Sequence, residues 1–145
     1  MKHMPQVVAV MTPFPYSVEI DASVQSAQEL MQHHRFRHLP VVEHGQLRGV
    51  LTDRDIRSAL GHNLGFHNVA QLKVRDVFHG DAYTVDAATP LDRVATEMAD
   101  RHVGSALVTK GGKLVGVFTT TDACRALAQV LRERFPPPSP GTNAA

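Results

Sequence analysis

The chain has 145 residues, enough for one ordinary domain or two very small ones and too few for a multidomain enzyme. Hydrophobic residues make up 43% and charged residues 20%, near globular averages, which excludes disorder of the whole chain. Fifteen Lys and Arg against fourteen Asp and Glu leave a formal charge of +1 with no long basic run, so polyanion binding by bulk charge is excluded too.

The longest apolar run near the N-terminus, Val7 to Met11, stops at Thr12 and Pro13. It is too short for the core of a signal peptide, and no other stretch approaches a membrane span, so no membrane association is expected. The single cysteine, Cys124, can form neither an internal disulfide nor a thiolate metal site by itself, which suits a reducing cytoplasm.

An internal repeat organises the chain. Gly45, Leu47, Gly49, Val50, Thr52 and Asp55 recur 67 residues later as Gly112, Leu114, Gly116, Val117, Thr119 and Asp122. The same ungapped offset pairs Val7 with Val74, Tyr16 with Tyr83, Val18 with Val85, Met31 with Met98 and Leu60 with Leu127, making 14 identities over the 54 positions from Val7 to Leu60. The expected organisation is a first repeat over 1–64, a second over 65–135 and a disordered proline-rich tail over 136–145, with turn composition from Gly61 to Gly65 opening a linker.

In chain order, the first copy starts with a short extended piece at Ser17-Val18. Val24, Ala27, Leu30 and Met31 then recur at helical spacing. Two apolar runs, Leu39 to Val42 and Leu47 to Leu51, flank Glu43-His44-Gly45-Gln46 and read as a hairpin. A second helix carries Ile56, Ala59 and Leu60. The second copy repeats the order: Thr84-Val85, a helix with Leu91, Val94, Ala95 and Met98 capped at Thr89-Pro90, strands Ser105 to Val108 and Leu114 to Phe118, and a helix whose apolar face is Ala123, Leu127, Val130 and Leu131. Cys124 is expected on the inner part of that helix. A copy of this size buries only about 60% of its unfolded surface and is marginal alone. The expected fold is therefore α/β (α+β), two β-α-β-β-α repeats packed through their sheets with pseudo-twofold symmetry. A homodimer is also expected, two-fold closure being the commonest.

Chemistry concentrates at the turn from the hairpin into the second helix. Gly49-Val50-Leu51-Thr52-Asp53-Arg54-Asp55 and Gly116-Val117-Phe118-Thr119-Thr120-Thr121-Asp122 share Gly, two apolar residues, Thr and, three positions on, Asp. Such a Thr and Asp form a capping box. The same helix start offers free backbone donors and a positive dipole end to a phosphate, and a carboxylate one turn on can accept from two ribose hydroxyls. Both uses are open.

With Arg37-His38-Leu39-Pro40-Val41-Val42-Glu43 preceding Gly45 to Asp55, and the pattern present twice, the chain resembles the CBS (cystathionine β-synthase) domain family over about residues 7–131, as a tandem pair or Bateman module. Copy 2 departs from the family pattern at Gly104-Ser105-Ala106-Leu107, which lacks a proline aligned with Pro40. The resemblance implies a non-enzymatic sensor that binds AMP, ADP, ATP or S-adenosylmethionine in two clefts between the repeats and acts on a regulated partner protein. Carried over, Asp55 and Asp122 would hold ribose, Thr52 and Thr119 would touch phosphate, and Arg54 would add a phosphate contact. Tyr16, Val18, Tyr83 and Val85, together with Arg37, His38 and Ser105, would wall the base. No cofactor is required beyond the adenine nucleotide as regulatory ligand.

Arg54 against Thr121 makes the first site the expected polyphosphate site, leaving the second only hydroxyls, although Arg37 could serve the opposite cleft. The alternative is a ligand-free interaction or dimerisation protein in which both motifs are caps only. His33-His34-Arg35-Phe36-Arg37-His38 is the densest histidine group, but Leu39-Pro40 begins a strand, so a metal pair at i,i+4 is not expected. No catalytic set emerges, and nucleic acid is not an expected partner.

Overall fold

The 67-residue period reappears element by element in the computed structural model, which describes residues 3–13, 16–61 and 72–138. A 3₁₀ turn at Val7–Ala9 and strand β1 (Thr12–Pro13) come first. Then follow β2 (Val18–Glu19), α1 (Val24–His34), β3 (His38–Glu43), β4 (Gln46–Thr52) and α2 (Asp53–Gly61). A second 3₁₀ turn at Val74–Asp76 opens the next copy, followed by β5 (Thr84–Asp86), α3 (Leu91–Arg101), β6 (Ser105–Lys110), β7 (Lys113–Thr119) and α4 (Thr120–Arg134). Each half has the expected β-α-β-β-α order and hairpin, β3–β4 and β6–β7 being antiparallel, and the short first strand adds a parallel pairing, β2 with β3 and β5 with β6. The boundary at 64/65, the expected linker beyond Gly61 and the tail from Ser139 lie outside the described residues.

Local chemistry explains the element ends. The hairpin turns place two successive residues at positive φ, His44 and Gly45 in one copy and Gly111 and Gly112 in the other, the backbone of a two-residue turn matched to strand twist. Helices α1 and α3 both end in a left-handed residue, Arg35 and His102. Ser23 caps α1 by accepting from the Ser26 N–H at 3.0 Å. Its counterpart is Pro90, so the cap expected from Thr89 does not form and α3 begins one residue later with no side-chain cap.

The two halves exchange their leading segments. The Val7 and Val8 N–H groups donate to the carbonyls of Thr89 and Ala87, and Leu91 N–H donates to Pro5, all in the second half. Strand β1 then joins the edge of the second sheet, giving the order β1-β7-β6-β5 with Thr12 opposite Val117. Reciprocally, Val74 and Arg75 donate to Ala22 and Ile20, Val24 donates to Leu72, and His79 forms an antiparallel bridge with Val50 at the edge of the β2-β3-β4 sheet.

The apolar cores follow the exchange. Val7 is fully buried among Val85, Val94, Met98, Val108 and Phe118, while Leu72 and Val74 are buried among Ile20, Val24, Leu39, Leu51 and Ile56. A small third cluster, Val50, Leu107 and Val117, joins the sheets. Each half thus keeps its own core, completed by the other half's leading segment. Burying a branched side chain such as these contributes roughly 1.5–3 kcal/mol.

The second helix of copy 2 departs from expectation. Ala123 is partly buried, but Leu127 and Val130 are 57% and 56% exposed, Leu131 and Phe135 are exposed as well, and so is Cys124. At the start of the helix, Ile56 of the first core is matched by the smaller Ala123. Helix α4 thereby presents less apolar volume to its own sheet at its start.

Gly49 and Gly116 have a steric reason. A Cβ at Gly116 would lie 2.7 Å from the Thr12 carbonyl oxygen, and one at Gly49 would collide with the His79 carbonyl. The exchanged backbones rest on these glycines. Gly49→Ala and Gly116→Ala are each expected to destabilise the protein by about 1–3 kcal/mol, the usual cost of overpacking. Urea denaturation checks this, with Gly61→Ala as the control because a Cβ there meets nothing within 4 Å.

Candidate functional site

Both hairpin-to-helix turns form reciprocal capping boxes. Asp55 N–H donates to Thr52 Oγ1 at 3.0 Å, while Asp55 Oδ2 accepts from the Thr52 N–H at 2.9 Å. Thr119 and Asp122 repeat this, with the Thr119 N–H at 2.9 Å from Asp122 Oδ2. The preceding loop is tied to each helix start: Asp53 N–H donates to the Arg37 carbonyl and Thr120 N–H to the Gly104 carbonyl. Four orphan donors at a helix start normally seek such partners.

The free oxygen of each carboxylate faces the exchanged segment. Asp55 Oδ1 pairs with His79 Nε2, and Asp122 Oδ1 accepts from the Thr12 hydroxyl at 3.0 Å. Thr12 and His79 are equivalent under the repeat, so symmetry-related sites carry a hydroxyl in one and an imidazole in the other.

Two cavities of about 520 Å³ each lie above these turns, within the usual range for small-molecule sites. The first combines Thr52, Arg54 and Asp55 with His79, Asp81, Tyr83, Arg101, Val103 and Ser105 of the second half. The second combines Thr119 to Asp122 and Arg125 with Thr12, His34, Arg35, Phe36 and Arg37 of the first half. Each cleft therefore draws on both halves. His38 and Gly104 border both, a Cβ at Gly104 falling 3.4 Å from His38 Nε2.

The structure brings Thr52, Arg54, Asp55, Tyr83, His38 and Ser105 together at the first cleft, and Thr119, Asp122, Arg37 and His38 at the second. Three expected wall residues do not line either. Val18 and Val85 are buried in the two cores, because their short strands sit inside the parallel crossovers. Tyr16 packs against the first core and stacks on His34 with ring centroids 4.1 Å apart. Tyr83 serves both purposes: it packs on the second core, lines the first cleft, and lies 4.8 Å beneath the Arg101 guanidinium. Burial raises its phenol pKa above the ordinary value, and Glu97 adds to that shift.

The expected distribution of cations is reversed. Arg37 crosses to the second cleft, where Arg35 and Arg125 join it, so among the described residues three guanidiniums and one carboxylate, Asp122, line it. The first cleft balances Arg54 and Arg101 against Asp55 and Asp81. Thr12, His79, Asp81, Arg101 and Arg125 are among the wall residues that the sequence reading misses. Arg125 was legible one turn after Asp122. Thr12 and His79 differ in kind, so a search for repeated identities passes over them.

The chain is thus a pair of like α/β halves enclosing two clefts at paired helix starts. Residues 7–62 and 74–129 each match the CBS domain model, and the chain belongs to that family. It is 29% identical over 133 residues to a CBS domain-containing protein of Dictyostelium discoideum, covering 86% of this chain and 91% of that protein. It is 28% identical to the L-aspartate semialdehyde sulfurtransferase of Methanocaldococcus jannaschii over 77% of its own length, and spans only 21% of that enzyme. Its span of the homoserine O-acetyltransferase of Methanocorpusculum labreanum, 31% identical, is 24%.

Among solved structures, a putative acetoin utilization protein of Vibrio cholerae superposes with a TM-score of 0.78 at 25% identity, covering 93% of this chain and all of that one. The CBS domain pair of protein MJ0100, in complex with 5-methylthioadenosine and S-adenosyl-L-methionine, gives 0.75 at 25% identity, over 85% of this chain and 99% of that one. No helix among the described residues is long and apolar enough to cross a membrane.

His38, on the wall common to both clefts, has its imidazole pKa lowered by burial; the attraction of Asp55 opposes this and Arg37 adds to it. The folded protein therefore binds this proton less readily than the unfolded chain. The stability it contributes is complete above the ordinary value of about 6.5 and is lost as pH falls through it toward the lower folded value. His38→Gln is expected to flatten the decline in denaturation midpoint between pH 7.5 and pH 5.5. An equally steep decline in the variant would show that His38 is not its source.

Proposed function

We propose that this CBS pair is a non-enzymatic regulatory module of the cytoplasm that binds an adenosine-containing nucleotide in clefts between its halves. The observation that carries this is the composition of each cleft: a Thr and an Asp at the helix start of one half face a wall supplied by the other. A ligand touching both halves favours one relative packing over another, in proportion to its differential affinity for the two. His38 and Gly104 belong to both walls, so movement at one cleft is felt at the other. The adenosyl ligands named for the MJ0100 pair support the ligand class, with S-adenosylmethionine as the alternative to AMP, ADP or ATP.

Millimolar AMP or ATP is expected to raise the melting temperature by mass action. Asp55→Ala combined with Asp122→Ala should abolish that rise while lowering the ligand-free stability by about 1 kcal/mol per lost cap. A thermal-shift panel including S-adenosylmethionine reads both effects. No shift with any adenosyl ligand would sink the proposal.

A second reading, a ligand-free dimerisation protein, is favoured by one observation: both motif carboxylates are already engaged by their own caps and by His79 or Thr12. A homodimer fits either reading, and the exposed stripe of Leu127, Val130 and Leu131 on α4, continued by Phe135 at its end, is the surface for it, burying against its own copy as an isologous pair. Leu127→Glu with Leu131→Glu is expected to yield a monomer by light scattering. An unchanged mass would place the contact elsewhere.

A further inference from the structure

We infer that the cleft over Thr119 and Asp122 is the polyphosphate site of this protein, and that the cleft over Thr52 and Asp55 takes a ligand of little net charge. The nucleoside part of the assignment rests on the adenosine reading above; the charge part stands on the cleft walls alone. Two of the three guanidiniums in the Thr119 cleft, Arg35 and Arg37, have no ion-pair partner among the described residues. The third, Arg125, comes no nearer than 3.9 Å to Asp122, whose oxygens are occupied by the Thr119 amide and the Thr12 hydroxyl. Among the described residues, Asp122 is the one carboxylate lining this cavity, so its three guanidiniums leave a net positive charge.

Guanidinium groups bind phosphate oxygens through paired N–H donors, and a cleft with low-dielectric walls concentrates their field. They reach the cavity from both sides: Arg35 and Arg37 from the end of α1 in the first half, Arg125 from the first turns of α4 in the second. A chain of several phosphates can span such an arrangement, whereas a single phosphate can engage only one side of it. Thr120 and Thr121, both exposed, line the same cavity and add hydroxyl donors.

The Thr52 cleft keeps the matching Thr and Asp but differs in its charged walls. Asp81 and Asp55 offset Arg54 and Arg101, Arg101 lies over the Tyr83 ring, and Gly104 replaces the side chain of Arg37. Added phosphates would meet carboxylates there.

The test is calorimetric titration of the full chain with ATP, AMP and inorganic tripolyphosphate. Three proteins are compared, the wild type, Arg37→Ala combined with Arg125→Ala, and Arg54→Ala, each first shown to melt as the wild type does without ligand. The double variant should bind ATP and tripolyphosphate at least tenfold more weakly and AMP within threefold of wild type, while Arg54→Ala leaves ATP within twofold. Tripolyphosphate should also displace ATP from the wild type. A tenfold loss of ATP affinity in Arg54→Ala, or ATP binding that ignores the double change, overturns the assignment and leaves the adenosine reading intact. Tripolyphosphate binding that needs Arg37 and Arg125, with no adenosyl ligand bound, upholds the charge assignment and removes the nucleoside. Binding of neither ATP nor tripolyphosphate overturns the assignment outright.

Discussion

Two stretches of backbone rest on two glycines, and both the fold and its clefts depend on that contact. Where β4 and β7 carry Gly49 and Gly116, the segments at Phe78-His79 and Met11-Thr12 come close enough to pair with the sheet edges. The same approach sets Thr12 beside Asp122 and His79 beside Asp55. One contact therefore closes the exchange between halves and builds a wall of each cavity. The Gly-to-Thr-to-Asp spacing has a division of labour: glycine admits the neighbouring chain, threonine and aspartate start the helix, and the remaining carboxylate oxygen meets the incoming segment.

A chain with nearly balanced charge carries two cavities of unlike charge because the halves differ at positions that symmetry makes equivalent. Arg37 matches Gly104, Arg125 matches Ser58, and Arg101 matches His34. Each cleft takes its helix start from one half and its loop wall from the other, so a substitution in one copy changes the cavity over the opposite copy's motif. Duplication followed by substitution at these walls yields two differently charged sites without disturbing either core. The cores use other positions, such as Val24, Val94, Leu51 and Phe118.

Much of the fold was legible because its signals are local. The paired hairpins announced themselves through Gly45 and Gly112 at positive φ, and α1 and α3 through Met31 and Met98 with their helical neighbours. Thr52, Asp55, Thr119 and Asp122 were readable as helix starts at the sites where the cavities lie. The exchange was not legible: Val7 and Val74 occupy equivalent places, and either would satisfy either core. Which half each joins is decided by chain path, a property with no local residue signature. The placement of Val18 and Val85 in the cores rather than the clefts follows from the same cause, since a two- or three-residue strand within a crossover has its apolar side chain turned to the sheet interior. Arg37 was open to either cleft in the sequence, and the fold sets it in the cavity over the other motif.

The exchange also imposes an order on biosynthesis. Val24, Leu39 and Ile56 form a core that is complete only with Leu72 and Val74, and Val7 finds its place only beside Val94, Val108 and Phe118. On a ribosome, the first copy emerges without the segment that seals it, and its own first residues wait for a sheet whose last strand ends at Thr119. The loop that brings Val7 to Val94, Val108 and Phe118 spans most of the chain and is costly in entropy until both partners exist, whereas Leu72 and Val74 return to Ile56 over a short span. The first core can therefore close as soon as Leu72 and Val74 have emerged, whereas the second waits for β7, and a nascent chain halted between the copies exposes an unfinished apolar core to whatever holds it in the meantime.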